Sequence, residues 1–278
     1  GLGDVYKRQV VMFNKIAEEI RLPFTLHIDS LSKGQQSNID WWVSSPMSRD
    51  NLSSPLFGSC CSLILLQKLL KEKTEIKLIS TDSFVLNKVI KSYLKINDYK
   101  IPVVCEKKLT QKITFFVIPV LRWLWIFFKQ FYQWILVNKV VKISININHK
   151  PLTLIDTYIL GDFDEKKDRY YGDLWENLDK KEQDSLYFVP TIINDHKNST
   201  KDRLSKIHQS KKNFLFKEKF LTISDYCFVF LYPWRVAFFN IPQLKFMGFD
   251  IMPLIKSELK TMNAFDQVCI ALLNYRFA

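Results

Sequence analysis

From Ile113 to Val137 the chain carries Phe115, Phe116, Trp123, Trp125, Phe127, Phe128, Phe131, Tyr132 and Trp134, interrupted by Arg122, Lys129 and Gln133. A run this long and this aromatic must be a helix with somewhere to hide its rings. It is long enough to span a bilayer. Arg122 near its centre would, however, cost about 2.5–3.5 kcal/mol on insertion scales. Aromatic residues mixed with basic ones suit a helix lying in the membrane interface. A protein-buried helical hairpin, or a contact surface for a further part of the protein, would use the same residues.

The remainder can bury a large core, since 47% of the 278 residues are hydrophobic. That length accommodates one large domain or two small ones. The net charge is +12. The lysines behind it are scattered (Lys68, Lys71, Lys73, Lys107, Lys108, Lys211, Lys212), with no long basic block and no aromatic–basic RNA motif. No nucleic-acid partner is expected; an anionic membrane face, or an anionic donor and acceptor, accounts for the charge as well. Five cysteines include the adjacent Cys60 and Cys61, and His27, His149, His196 and His208 lack metal-ligand spacing. The cysteines read as small hydrophobes in a reducing compartment, and no metal site is expected.

Strand-like apolar runs alternate with helix-like ones, which predicts an α/β fold: a Rossmann-like, mainly parallel sheet with helices on both faces. The run ending at Val43 is the expected first strand. Ser54 caps the next helix, with Pro55 at its first position, and that helix reaches about Lys71. Glu75 to Ser80 reads as the second strand. Asp82 or Ser83 opens a helix with Leu86, Val89, Ile90, Tyr93 and Leu94 on one face. Ile101–Cys105, Leu152–Tyr158, Leu186–Pro190 and Phe214–Phe216 supply four more strands. Ser199 or Thr200 caps a short basic helix to Lys211. Thr222–Asn240 is a helix broken at Pro233, and Asp250–Ala278 is helical.

Between Asp40 and Phe57 the chain reads Asp-Trp-Trp-Val-Ser-Ser-Pro-Met-Ser-Arg-Asp-Asn-Leu-Ser-Ser-Pro-Leu-Phe. On the strand–loop–helix reading its polar groups gather at the carboxyl end of a strand, where open α/β sheets bind ligands. Asp40-Trp41-Trp42-Val43-Ser44-Ser45-Pro46, Ser48-Arg49 and Ser54-Pro55-Leu56-Phe57 resemble the start of a family of bacterial surface-carbohydrate biosynthesis proteins described as sugar transferases. Asp156-Thr157-Tyr158-Ile159, Asp168-Arg169-Tyr170-Tyr171 and Tyr187-Phe188-Val189-Pro190-Thr191 look like its later landmarks. The family's paired tyrosines are followed by proline, where this chain has Gly172-Asp173.

The resemblance implies the amino-terminal, acceptor-side half of a two-domain, GT-B-like glycosyltransferase of O-antigen or capsule assembly. Its substrates would be a nucleotide-sugar donor and a glycan or lipid-linked acceptor, with no other cofactor. Its location would be cytoplasmic, peripheral on the inner face of the cytoplasmic membrane, with Ile113–Val137 as the contact. A non-catalytic, membrane-associated binding or scaffold module of the same pathway is the alternative.

Sugar transfer needs a base for the acceptor hydroxyl and a cationic or dipolar site for the leaving diphosphate. There is no Gly-rich phosphate loop. The amino end of the helix at Ser54–Pro55 and the guanidinium of Arg49 are the expected phosphate contacts, against a plain reading as a capped helix and a surface arginine. Asp156 is the first candidate base, on the expectation that strand burial raises its pKa, with Asp40 and Asp50 behind it. Asp40 serves equally well as a structural capping or pairing residue. Ser44, Ser45, Ser48 and Thr157 are candidate donors to sugar hydroxyls, and Arg169 and Tyr170 stand on a loop that could cover an acceptor. Ser44, Ser45, Arg49, Asp156 and Thr157 are expected to converge on one cleft.

The ends carry two further expectations. Asp4-Val5-Tyr6-Lys7-Arg8-Gln9 looks like the translated transposon end used in sequencing libraries, so residues 1–9 are set aside. Residues 10–278 then form one Rossmann-like domain with an aromatic helical insertion at 113–140, and a nucleotide-sugar domain would follow beyond Ala278.

Overall fold

The computed structural model describes residues 2–48, 54–72, 76–106, 108–141, 152–160, 171–193, 200–261 and 265–278. In chain order these form α1 (Leu2–Leu31), α2 (Ile39–Trp42), α3 (Ser45–Ser48), α4 (Leu56–Lys71), β1 (Ile79–Thr81), α5 (Phe84–Ile96), β2 (Val103–Cys105) and α6 (Lys108–Val140). Then come β3 (Thr153–Leu160), α7 (Leu174–Asn177), α8 (Lys180–Ser185), β4 (Leu186–Ile193), α9 (Thr200–His208), a 3-10 turn at Lys217–Lys219, α10 (Ile223–Phe230) and α11 (Tyr232–Ala237). The chain closes with β5 (Lys245–Phe246), β6 (Phe249–Asp250), α12 (Met252–Thr261) and α13 (Phe265–Phe277). Two compact units result: Gly1–Leu124 with Leu231–Val268, and Trp125–Phe230 with Cys269–Ala278.

The Rossmann-like sheet is not there. Among the described residues the strands pair only in twos: β1 with β2 and β3 with β4 in parallel, β5 with β6 antiparallel. The expected first strand is instead the one-turn helix α2, and Phe214 makes no more than an isolated bridge to Phe188. The reason is that a short apolar run has no period of its own: strand and buried helical turn look alike over four residues. Here Trp41 is fully buried while its neighbour Trp42 stays about half exposed, with its indole N–H donating to the carbonyls of Gln35 and Gln36.

The first unit is organised by α4, apolar around most of its circumference, which buries Leu56, Cys60, Cys61, Leu63, Ile64, Leu66 and Leu70. Against it α1 presents Ile16, Ile20, Phe24, Ile28 and Leu31, a stripe at helical spacing. Phe24 meets Phe57 edge-on at 5.2 Å. Burial pushes the Cys61 thiol up to about 11 and the Cys60 thiol further in the same direction, so both pack as apolar groups. The small β1–α5–β2 unit starts where the sequence predicts, with the Ser83 hydroxyl accepting from Leu86 N–H at 3.2 Å. Its apolar face buries Val89, Ile90 and Leu94. The β5–β6 hairpin turns through Met247 (φ 49°) and Gly248 (φ 92°), two consecutive left-handed residues as a tight two-residue hairpin demands.

In the second unit β3 and β4 run side by side for eight residues, from Thr153 opposite Leu186 to Leu160 opposite Ile193. Asp179 opens α8 with a reciprocal capping box: its carboxylate accepts from Glu182 N–H at 2.8 Å, and Glu182 accepts from Asp179 N–H at 3.0 Å. Leu204 and Ile207 on α9 pack with Val137, Ile159 and Phe216. Phe127, Phe131 and Trp134 of the aromatic run serve this unit's interior. Phe131 stacks on Trp134 at 5.3 Å and meets Tyr226 edge-on at 5.7 Å, and Phe127 packs on Phe230 at 4.8 Å. Among the described residues no helix is long and apolar enough to cross a membrane.

Candidate functional site

The serine-rich block folds onto a carboxylate that the sequence reading did not single out. Ser45 donates to Glu258 Oε2 at 3.2 Å, and Ser54 donates to the same oxygen. Leu56 N–H at the start of α4 bonds to Glu258 as well, and to Ser54 Oγ at 3.3 Å. The amino end of α4, expected to hold a phosphate, is thus met by the protein's own anion; a phosphate there would have to displace Glu258. Burial raises the Glu258 carboxyl above its ordinary range, and the two serine hydroxyls and the amide only partly offset this. A clue lay in the sequence: Glu258 follows Leu254 by four residues and Ile255 by three, inside the apolar stripe of α12.

A carboxyl whose pKa is higher in the fold than in the unfolded chain weakens the fold when it ionises. That loss begins as pH rises through the ordinary glutamate value of 4.5 and is complete above the raised one. Glu258→Gln is therefore expected to shift the urea midpoint upward at neutral pH. Near pH 4, at about the ordinary glutamate pKa, the gain should largely vanish. A variant less stable than the parent at neutral pH would mean that the serine hydrogen bonds outweigh desolvation.

Ser44 is spent locally, donating to the Trp41 carbonyl at 2.6 Å. Asp40 is paired bidentately with Arg235, Nε to Oδ2 at 2.5 Å and Nη2 to Oδ1 at 2.7 Å. Beside this pair the buried Tyr232 phenol is pushed up, first by desolvation and then by the Asp40 charge. The geometry gives Asp40 the pairing role open to it in the sequence reading.

In the second unit Asp156 stands on β3 with its side chain exposed, so the expected burial of this carboxyl does not occur. The next residue, Thr157, faces inward and is buried. Such alternation follows from the two-residue period of a strand. Thr191 on β4 donates to Asp156 Oδ1 at 3.4 Å, and the Tyr171 hydroxyl donates to the Asp156 carbonyl at 3.0 Å. Behind Thr191 lies Lys217, nearly fully buried. Its ammonium donates to Asn274 Oδ1 at 2.6 Å and to Thr191 Oγ1 at 3.3 Å. Burial lowers its pKa, while Glu218 and Asp156 act in the opposite sense. Glu218 is buried too, and desolvation raises its pKa. Gln133 donates to Glu218 Oε1 at 2.8 Å, and Oε2 has no hydrogen-bond partner among the described residues.

The expected site residues thus fall in both units: Asp40, Ser44, Ser45 and Ser54 in the first, Asp156 and Thr157 in the second. Ser45 and Ser54 share Glu258; Asp156 shares a polar chain with Thr191, Lys217 and Asn274. The side chain of Ser48, and Arg49, Asp50, Asp168, Arg169 and Tyr170, lie outside the described residues. Lys217 and Glu218 could have been noticed as adjacent charges directly following the apolar Phe214-Leu215-Phe216 run. Asn274 and Arg235 carry no comparable mark.

No protein-family profile, curated protein or solved structure matches the chain.

Proposed function

We propose that the protein takes part in sugar transfer from a nucleotide donor to a hydroxyl of a glycan or lipid-linked acceptor during assembly of a bacterial surface polysaccharide. The place of action is the cytoplasmic side of the membrane, and this chain supplies the acceptor side. The observation that carries the reading is the Asp156 carboxylate: exposed, fixed on an eight-residue strand, and hydrogen-bonded by Thr191 with the buried Lys217 ammonium behind it. A carboxylate so placed can take the acceptor hydroxyl's proton as the oxygen bonds to the donor sugar and the nucleoside diphosphate leaves. The motif resemblance at Asp156-Thr157-Tyr158-Ile159 supports the same residue.

A second reading, a non-catalytic scaffold of the same pathway, is favoured by how the serine-rich block is used: its groups satisfy internal partners at Glu258 and Arg235. Asp156→Asn in the chromosomal gene separates the two. Catalysis by this carboxylate predicts polymer formation slowed by about 100-fold, the lower end of what a positioned acid–base group supplies, with unchanged protein level. Unaltered polymer at normal protein level would leave the scaffold reading standing.

A further inference from the structure

Helix α6 holds Lys108, Lys112, Arg122, Lys129 and Lys139 and contains no aspartate or glutamate. Its described side chains sort onto two faces. Trp123, Ile126, Gln130, Gln133 and Val137 are buried. Val117, Ile118, Val120, Leu121, Trp125, Phe128 and Tyr132 are exposed, with relative accessibilities from 49% to 61%. At about 100° per residue all of these but Val120 fall within one sector of roughly 100°, centred away from the buried face, and Val120 widens it to roughly 160°. At about 1.5 Å per residue they extend over roughly 22 Å of one helix. Arg122 and Lys129 border the stripe on one side, and the Lys129 ammonium lies 5.3 Å from the Trp125 ring centroid.

We propose that this face of α6 docks on the surface of an anionic lipid bilayer, the helix lying in the membrane plane. Three observations choose lipid over another protein as the occupant. The stripe combines Trp, Tyr and Phe with aliphatic residues, the mixture that settles at the headgroup level. Its charged neighbours are of one sign, on a helix without a single acid and a chain of net charge +12, which complements acidic headgroups. The opposite face is already occupied by the protein's own core, so the helix can lie on a bilayer without unfolding anything. The inference deepens the location given above. It is read by vesicle binding alone, so it and the sugar-transfer reading can fail separately.

The test is co-sedimentation of the chain with phosphatidylcholine vesicles, with and without phosphatidylglycerol. Binding is expected to the phosphatidylglycerol vesicles and to weaken with added salt. Lys129→Glu should reduce it by about fivefold or more, as expected for losing one basic residue near the surface and gaining an acid. Trp125→Ser with Phe128→Ser should reduce it at least about tenfold, because two large rings lose their burial. Far-UV circular dichroism establishes that the variants keep their helix. Quenching of wild-type tryptophan fluorescence by brominated lipid needs no variant and should accompany binding. The proposal is overturned by absent binding, by undiminished binding of the folded double variant, or by self-association of the parent that the double substitution abolishes.

Discussion

Arg235→Ala is expected to destabilise the first unit by about 3 kcal/mol, the lower end of what removing one partner of a buried ion pair costs. Asp40 is 7% exposed at its side chain and accepts two hydrogen bonds from one guanidinium, at 2.5 and 2.7 Å. Taking the guanidinium away leaves a desolvated carboxylate next to the fully buried Trp41. The lower end is the right choice because the Arg235 side chain is 27% exposed, so water partly screens the pair and can partly replace it. Asp40→Asn should cost less, since the amide oxygen still accepts one bond and no charge is stranded. Urea unfolding of the two variants measures the difference. A loss for Arg235→Ala below about 1 kcal/mol would place the pair among ordinary surface salt bridges.

Trp41→Ala is expected to cost about 3–5 kcal/mol, the range for deleting a fully buried aromatic side chain. Trp41 has no exposed surface. Its indole N–H donates to Ser32 Oγ at 3.0 Å, Ser32 in turn donates to the Ile28 carbonyl at 2.8 Å, and Phe239 meets the ring edge-on at 6.3 Å. Truncation therefore opens a cavity and strips a hydrogen bond from a buried hydroxyl. Trp41→Phe keeps most of the packing and gives up the indole donor, so it should lose much less. Equal losses in the two variants would show that the hydrogen bond, rather than the volume, holds α2 in place.

Asp40 and Trp41 sit in the block that the sequence marked as functional, and both turn out to hold the first unit together. The block was legible as special because paired tryptophans beside an acid and several serines are costly to leave without partners. What those partners are was not legible. Arg235 is 195 residues from Asp40, and Glu258 is 204 residues from Ser54. No local pattern connects residues that far apart. Asp156 shows the converse case: its strand was recognisable, but which of Asp156 and Thr157 faces inward depends on the register with β4 and on what covers the sheet. The inward residue is Thr157, and the acid expected to be buried is the exposed one.

Local chemistry alone was enough for elements whose signals act within one turn or one strand. Ser83 caps α5, the aromatic run from Ile113 to Val137 is a continuous helix, and β3 and β4 contain the apolar runs expected to be strands, while α4 begins one residue later than expected, with Pro55 rather than Ser54 at its cap position. Assembly into a layered sheet was a different matter. Strand order is set by contacts between segments far apart in the chain, and short apolar runs satisfy a helical turn as readily as a strand. The tertiary structure therefore decided that these strands stop in pairs, that helices carry the two cores, and that the serine block closes on Glu258 and Arg235. Capping and periodicity are contests over a few residues, whereas burial and ion pairing are contests over the whole fold.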